Sequence, residues 1–305
     1  MNTIIETQGL SRRFGKNLAV TDLTMKVPRG RICALLGPNG AGKTTTIKML
    51  MNMIRPSAGN ATVLGTESVQ LGPRELSRIG YVSENQELPG WMKVWELIDY
   101  CQPMYPSWDE DLCDDLVQLF DLPPTQKIKS LSRGARIKVA LLVALAHRPE
   151  LVILDEPFSG LDPLVRDEFI RGLLELSGRS EWTVLIASHD IDEVERLVDW
   201  VCVIDRGQLR VSESTAALED RFRQCEFTLA AGQQLPDPVP DSWLTAESSG
   251  QRVRFVVTDY HEQTGEAQVR KAVPGLKEMT VNRMSLKAIF MSLARQYRRH
   301  REVQT

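Results

Sequence analysis

Over the first two thirds of the chain, short apolar runs bounded by glycine, proline and acidic residues alternate with helical patterns. Residues 4–10 and 23–27 predict strands around a turn at 13–17, and residues 32–36 form an apolar run that feeds a glycine-rich turn. A helical pattern starts at Lys43. Strand-like segments at 61–65 and 79–83 flank a short helix rich in Pro, Glu and Arg. The alternation then breaks. Residues 88–108 carry Trp91, Trp95, Tyr100, Tyr105 and Trp108 with three prolines, and helices are predicted at 110–120 and 136–146. A continuous aliphatic run at 151–154 suits a central parallel strand covered on both faces. A helix at 163–176, a strand at 183–187, a helix at 190–197 and strands at 200–204 and 208–212 follow.

This order predicts an α/β fold: a mainly parallel sheet, an antiparallel β portion, and a helical insert at about 88–147. Beyond residue 223 the pattern changes again, with strands at 226–229 and 252–258, a proline-rich turn at 235–240 and a helix at 286–298. We read 1–223 as one domain and 224–305 as a small C-terminal α+β appendage without a motif tied to chemistry.

The glycine-rich turn changes the picture from fold to function. Gly37-Pro38-Asn39-Gly40-Ala41-Gly42-Lys43-Thr44, between a strand and a helix, has the spacing of a phosphate-binding P-loop. Its glycines allow successive N–H groups to face one concave surface, and the following helix adds its positive end. Lys43 is expected to reach the β- and γ-phosphates of a nucleotide, and Thr44 to ligate Mg²⁺.

Two further stretches extend this chemistry. Asp155 closes the aliphatic strand at 151–154, where it can hold the Mg²⁺ water shell; Glu156 beside it is placed to orient or deprotonate an attacking water. An Asp-Glu pair in isolation reads as a solvated turn, and only the strand before it and the P-loop upstream change that. His189 follows the next strand, positioned for a polar contact with the γ-phosphate.

Composition narrows the partners. The chain is 42% hydrophobic and 25% charged with net charge −3, which argues against bulk electrostatic binding to nucleic acid. Five scattered cysteines without a CxxC pair fit reduced, buried thiols. The N-terminus lacks a signal-peptide pattern, and no apolar run approaches the ~20 residues of a spanning helix. The expectation is a soluble protein that meets a membrane only through a partner chain.

The ordered set GPNGAGKT (37–44), LSRGA (131–135), LVILDEP (151–157), SGLD (159–162) and Ser188-His189 resembles the ATP-binding subunit of ABC transporters, over about residues 4–223. The resemblance implies a P-loop NTPase-type fold, ATP and Mg²⁺ as cofactors, and ATP hydrolysis at a head-to-tail dimer interface. It implies that Thr45 belongs to the nucleotide site, that Phe14 stacks on adenine, and that Ser132, Gly134 and Asp162 act across the dimer. It also implies a second ATP-binding subunit, an integral membrane permease, a peripheral place at the cytoplasmic face of the membrane, and a slight preference for export.

The chain departs from the family pattern in three of its motifs, at four positions. Arg133 and Ala135 replace Gly and Gln of the usual LSGGQ, which bears on the rate and strength of closure across the dimer. Glu84 stands where a glutamine usually approaches the metal, with Gln86 as a substitute nearby. Phe14 replaces a more frequent tyrosine. Residues 88–108, with Trp91 and Trp95 four apart, are expected to supply both a helical core and an anchor for the permease. The basic run Arg295, Arg298, Arg299, His300 and Arg301 reads as a solvated helix end, with contact to anionic lipid as the weaker alternative. An alternative function is a soluble ABC ATPase acting on ribosomes or nucleic acid, but such relatives generally carry two motif sets. A non-hydrolysing regulatory subunit is a third reading, opposed by the presence of Lys43, Asp155, Glu156 and His189.

Overall fold

The computed structural model describes residues 2–179, 182–230, 233–236 and 238–303. The chain divides into two compact units, Met1–Ser212 and Glu213–Thr305.

In the first unit the elements run β1 (Thr3–Phe14), β2 (Asn17–Leu23), β3 (Lys26–Pro28), β4 (Ile32–Leu36), α1 (Lys43–Leu50), β5 (Ala58–Val63), β6 (Thr66–Glu67), α2 (Pro73–Leu76) and β7 (Ile79–Val82). They continue with α3 (Val94–Cys101), α4 (Glu110–Leu119), α5 (Arg133–Leu145), β8 (Leu151–Asp155), α6 (Pro163–Arg179), β9 (Thr183–Ser188), β10 (Trp200–Asp205) and β11 (Gln208–Ser214).

The central sheet has the order β11-β10-β4-β9-β8-β7. From β10 through β7 its pairings are parallel. Every residue of β4, β8 and β9 is buried, as expected of aliphatic runs with helices on both faces. The antiparallel sheet has the order β2-β1-β5-β6, with β3 also paired to β1. At Gly80 in β7 a Cβ would fall 2.2 Å from the Ala144 carbonyl oxygen, so the missing side chain lets α5 lie directly on the strand. In the helical region, Asp109 caps α4 by accepting from Leu112 N at 2.8 Å, and Tyr105 stacks on His147 at 4.1 Å. Trp91 is 69% exposed, and Trp95 and Tyr100 are also exposed, whereas Val94, Leu97, Leu112 and Leu116 are buried.

The second unit contains α7 (Thr215–Arg221), β12 (Arg223–Thr228), β13 (Trp243–Ser249), β14 (Arg252–Val257), α8 (Gly265–Ala272), β15 (Lys277–Arg283) and α9 (Leu286–Val303). Its antiparallel sheet has the order β13-β14-β12-β15. Trp243 stacks on Phe255 at 4.0 Å, and Phe227 meets Phe255 edge-on. Of the basic run at the end of α9, the side chains of Arg298, Arg299, His300 and Arg301 lie outside the described residues.

Several local expectations differ from the structure. Strand β15 was not expected, because an edge strand with only Met279 and Val281 half-buried carries almost no apolar period. Helix α5 starts at Arg133 rather than Arg136, because the Ser132 hydroxyl accepts from Ala135 N at 3.1 Å and starts the helix earlier. Residues 190–197 form only a 3₁₀ turn at Ile191–Glu193 followed by turns. There the Asp190 carboxylate accepts from Asp192 N at 3.0 Å, a local bond that competes with a regular helix. All five cysteines are free, and burial pushes the Cys202 thiol up to about 11.

Candidate functional site

Strand β4 delivers the chain into the P-loop between β9 and β10. A Cβ on Gly37 would lie 2.2 Å from the Ile204 carbonyl oxygen of β10. Gly42 has φ +105°, and its own Cβ would lie 2.6 Å from the Ala19 carbonyl oxygen, so the loop demands glycine there twice over. The turn after β10 clamps the loop from outside: Gly207 N donates to Ala41 O and Thr21 N donates to Gly207 O, both at 2.8 Å. No side chain caps α1, so its first-turn N–H groups are available to an anion.

The Lys43 ammonium is 5% exposed and donates to the carbonyls of Gly37 at 2.8 Å and Pro38 at 3.3 Å. It also forms an ion pair with Glu156 Oε1 at 3.0 Å, without hydrogen-bond alignment. Thr44 Oγ1 donates to Asp155 Oδ1 at 3.1 Å. Burial raises the Asp155 pKa above the usual carboxylate range; the Thr44 hydroxyl opposes this, and the negative charges of Glu156 and Glu84 add to it. The same environment pushes Tyr81 up to about 12, through burial and the nearby Asp155 charge. Hard oxygen donors at Thr44 and Asp155, with a second acid at Glu84, form a set that suits Mg²⁺.

Glu156 has φ +50°, unusual for a residue with a side chain, and its N–H donates to Ala187 O of β9 at 3.0 Å. This left-handed step turns Glu156 toward the crevice directly after Asp155. Its Oε2 lies 2.7 Å from His189 Nδ1 and 3.4 Å from the His189 N–H. The contact fits an Nδ1–H donating to the carboxylate. In a neutral ring Nε2 is then an acceptor, so a bond from it to a phosphate oxygen requires the imidazolium.

A cavity of about 620 Å³ opens over this arrangement. Asn39, Gly40, Ala41, Gly42, Lys43, Thr44 and Thr45 floor it, Glu84 and Glu156 line it, and Phe14 stands at its edge, 46% exposed. The Arg12 guanidinium covers Phe14 at 4.6 Å from the ring centroid. Gly37 and Pro38 lie behind, holding Lys43. Gln86 does not reach this cavity: its carbonyl accepts from Ser83 N and Oγ, and it lines a separate cleft of about 510 Å³ with Glu84, Lys129 and Arg133.

Ser132, Gly134 and Asp162 are not among the residues lining the nucleotide cavity. Ser132 caps α5, and Asp162 caps α6 by accepting from Leu164 N and Val165 N at 3.1 Å. Gly134 packs on α6, where a Cβ would meet Val165 Cγ1 at 2.7 Å. The Arg133 guanidinium lies over Gly160, whose φ is +69°. Sequence reasoning missed Asn17, Leu18, Ala19 and Arg206, all of which line the nucleotide cavity. The Arg206-Gly207 turn was the available signal, but its approach to the P-loop depends on the pairing of β10 with β4.

A family model described as "ABC transporter" matches residues 20–159. The bacitracin transport ATP-binding protein BcrA of Bacillus licheniformis is 34% identical over 236 residues, 75% of this chain and 76% of its own. The chain belongs to the ABC transporter ATP-binding proteins. Another member, the daunorubicin resistance ATP-binding protein DrrA3 of Streptomyces coeruleorubidus, is 29% identical over 315 residues, 99% of each chain. A solved ATP-binding subunit of an ABC transporter superposes with TM-score 0.64 at 26% identity, covering 71% of this chain and 92% of that one. A second family model, described as "AAA domain, putative AbiEii toxin, Type IV TA system", matches residues 124–195. This ABC protein therefore has the P-loop NTPase fold and is an ATPase that uses ATP with Mg²⁺. No described helix is long and apolar enough to cross a membrane.

Proposed function

We propose that this subunit powers a membrane exporter, hydrolysing ATP in a head-to-tail dimer on behalf of a separate integral membrane permease at the cytoplasmic face of the membrane. The buried Glu156, held between Lys43 and His189 at the P-loop cavity, is the observation that carries the reading. The ATP-binding function falls to the first unit, Met1–Ser212, rather than extending to residue 223, and the second, Glu213–Thr305, forms an accessory α+β domain.

In this scheme the P-loop amides, Lys43 and the start of α1 hold the β- and γ-phosphates, with Phe14 against the adenine ring. Thr44 and Asp155, with Glu84 alongside, would hold Mg²⁺, which when bound would offset the charge on the phosphate oxygens. Glu156 takes a proton from water as the water oxygen attacks the γ-phosphorus. The bond from that phosphorus to the β–γ bridging oxygen breaks, and ADP leaves with the electron pair. His189 steadies Glu156 and contacts the γ-phosphate. Ser132 and Gly134 of a second subunit complete the site, with Asp162 reaching across; their location away from the nucleotide cavity of their own chain supports a role in trans. The relatives named for bacitracin transport and daunorubicin resistance support the export direction. The exposed Trp91, which follows directly on Gly90 of the second cleft, and the exposed Trp95 four residues on offer the permease an apolar anchor.

Glu156→Gln should pair on ATP and stay paired by light scattering, with turnover reduced at least ~100-fold. Turnover like wild type in that variant would remove Glu156 as the base. A multi-span protein should co-purify with the subunit from detergent-solubilised membranes.

A further inference from the structure

We propose that Glu193 is a positioning residue for the Glu156–His189 pair, acting through Ser188, and that Arg166 anchors it to the helix that Asp162 starts. The inference rests on the hydrolytic role given above to Glu156.

Glu193 ends the 3₁₀ turn after β9 and is only 4% exposed; Ser188, at the end of β9, is fully buried. A carboxylate in such a place is costly unless paired. Its Oε2 accepts from Ser188 Oγ at 2.6 Å, in the short range of bonds to charged acceptors. Its Oε1 faces Arg166 Nη2 at 3.7 Å. The Ser188 hydroxyl has one proton and two candidate acceptors, Glu193 at 2.6 Å and Asp190 O at 3.1 Å. The nearer, charged acceptor wins, and Asp190 N donates to the same Oγ at 3.0 Å, which fixes the hydroxyl rotor.

Residues 188–193 are thereby closed into one small loop, and His189 is inside it. The loop sets the backbone position from which the His189 ring reaches Glu156, with Nδ1 at 2.7 Å from Oε2. Ser188 also touches the nucleotide loop, since its carbonyl accepts from Gly37 N at 3.3 Å. On the other side, Arg166 N donates to Asp162 O at 3.1 Å, in the first turn of α6. One buried carboxylate therefore joins the His189 loop, the first glycine of the P-loop and the segment carrying Asp162. None of its atoms need touch ATP.

The test compares steady-state kinetics of Glu193→Ala, Ser188→Ala and Glu193→Gln in the full chain. Misplacing the hydrolytic pair by a fraction of an ångström to 1 Å should lower kcat about 10- to 100-fold. Both alanine variants should show that loss with KM for ATP changed less than about threefold, and Glu193→Gln, whose amide oxygen still accepts from Ser188, should recover most of it. Added to Glu156→Gln, Glu193→Ala should cost little more, because the group it positions is already gone. Equal losses in kcat and ATP affinity, an unchanged kcat in Ser188→Ala, or full additivity with Glu156→Gln would overturn the proposal. Failure of the parent reading is separate: it shows as normal turnover in Glu156→Gln alone.

Discussion

The contact between Gly134 and Val165 predicts a defined failure when Gly134 is replaced by alanine. Gly134 lies in the first turn of α5, and the new Cβ would sit 2.7 Å from Val165 Cγ1 and 3.3 Å from Cγ2. Carbon atoms prefer about 3.5–4.0 Å, so the nearer overlap approaches 1 Å. Val165 is β-branched and stiff about χ1, so it cannot swing aside cheaply. Either α5 lifts from α6 or Val165 leaves its rotamer, and overpacking of this kind costs roughly 1–3 kcal/mol. Alanine in place of glycine returns up to about 1 kcal/mol of helix propensity. The net expectation is a loss of about 0–2 kcal/mol in urea unfolding, with a larger effect on ATP turnover, because Ser132 and Gly134 shift together. Val165→Ala tests the cause: with only its Cβ left, 3.5 Å from the new methyl, the contact becomes ordinary. The double variant should therefore recover at least ~1 kcal/mol relative to the sum of the single changes. Additive behaviour, or Gly134→Ala with wild-type stability and turnover, would show that the close packing of α5 on α6 is not what requires glycine there.

Two other predictions follow from the geometry. Phe14→Ala should weaken ATP binding by about 1–3 kcal/mol while leaving binding of inorganic tripolyphosphate unchanged, because the proposed stacking involves the base and not the phosphates; equal losses for both ligands in a fluorescence displacement titration would refute the stacking role. Asp109→Ala should lower stability by about 1 kcal/mol through loss of the α4 cap. The Leu112 N–H and Arg148 hold the Asp109 pKa below the usual carboxylate range. A depressed folded pKa gives stability that is present above the unfolded value and lost as pH falls through the folded one, so the gap between wild type and variant should close below about pH 4. A gap that persists undiminished into that range would mean the charge is not involved.

Legibility in the sequence followed how local the physics was. The P-loop was readable because each position answers a constraint within a few residues: glycine where φ is positive or a backbone crowds in, lysine and threonine at the helix start. Strands β8 and β9 were readable because burial on both faces leaves uninterrupted aliphatics. The mutual placement of Lys43, Glu156 and His189 needed only the ends of adjacent parallel strands to coincide. By contrast, Arg206 reaches the cavity through the pairing of β10 with β4, far apart in the chain. The tie between Ser188 and Glu193 was hidden for another reason. A polar residue at helical spacing looks solvated until the turn is seen to fold it inward. Edge strand β15, largely exposed, left no periodic trace.

The clamp of Gly207 on Ala41 has a consequence for biogenesis. The glycine-rich loop at 37–44 lies early in this sequence, yet its walls are β9, β10 and the turn that ends at residue 207. As the polypeptide leaves the ribosome, the nascent loop has no rigid neighbours until those later strands emerge. A fragment ending before residue 200 should carry the whole glycine motif and still fail to retain nucleotide.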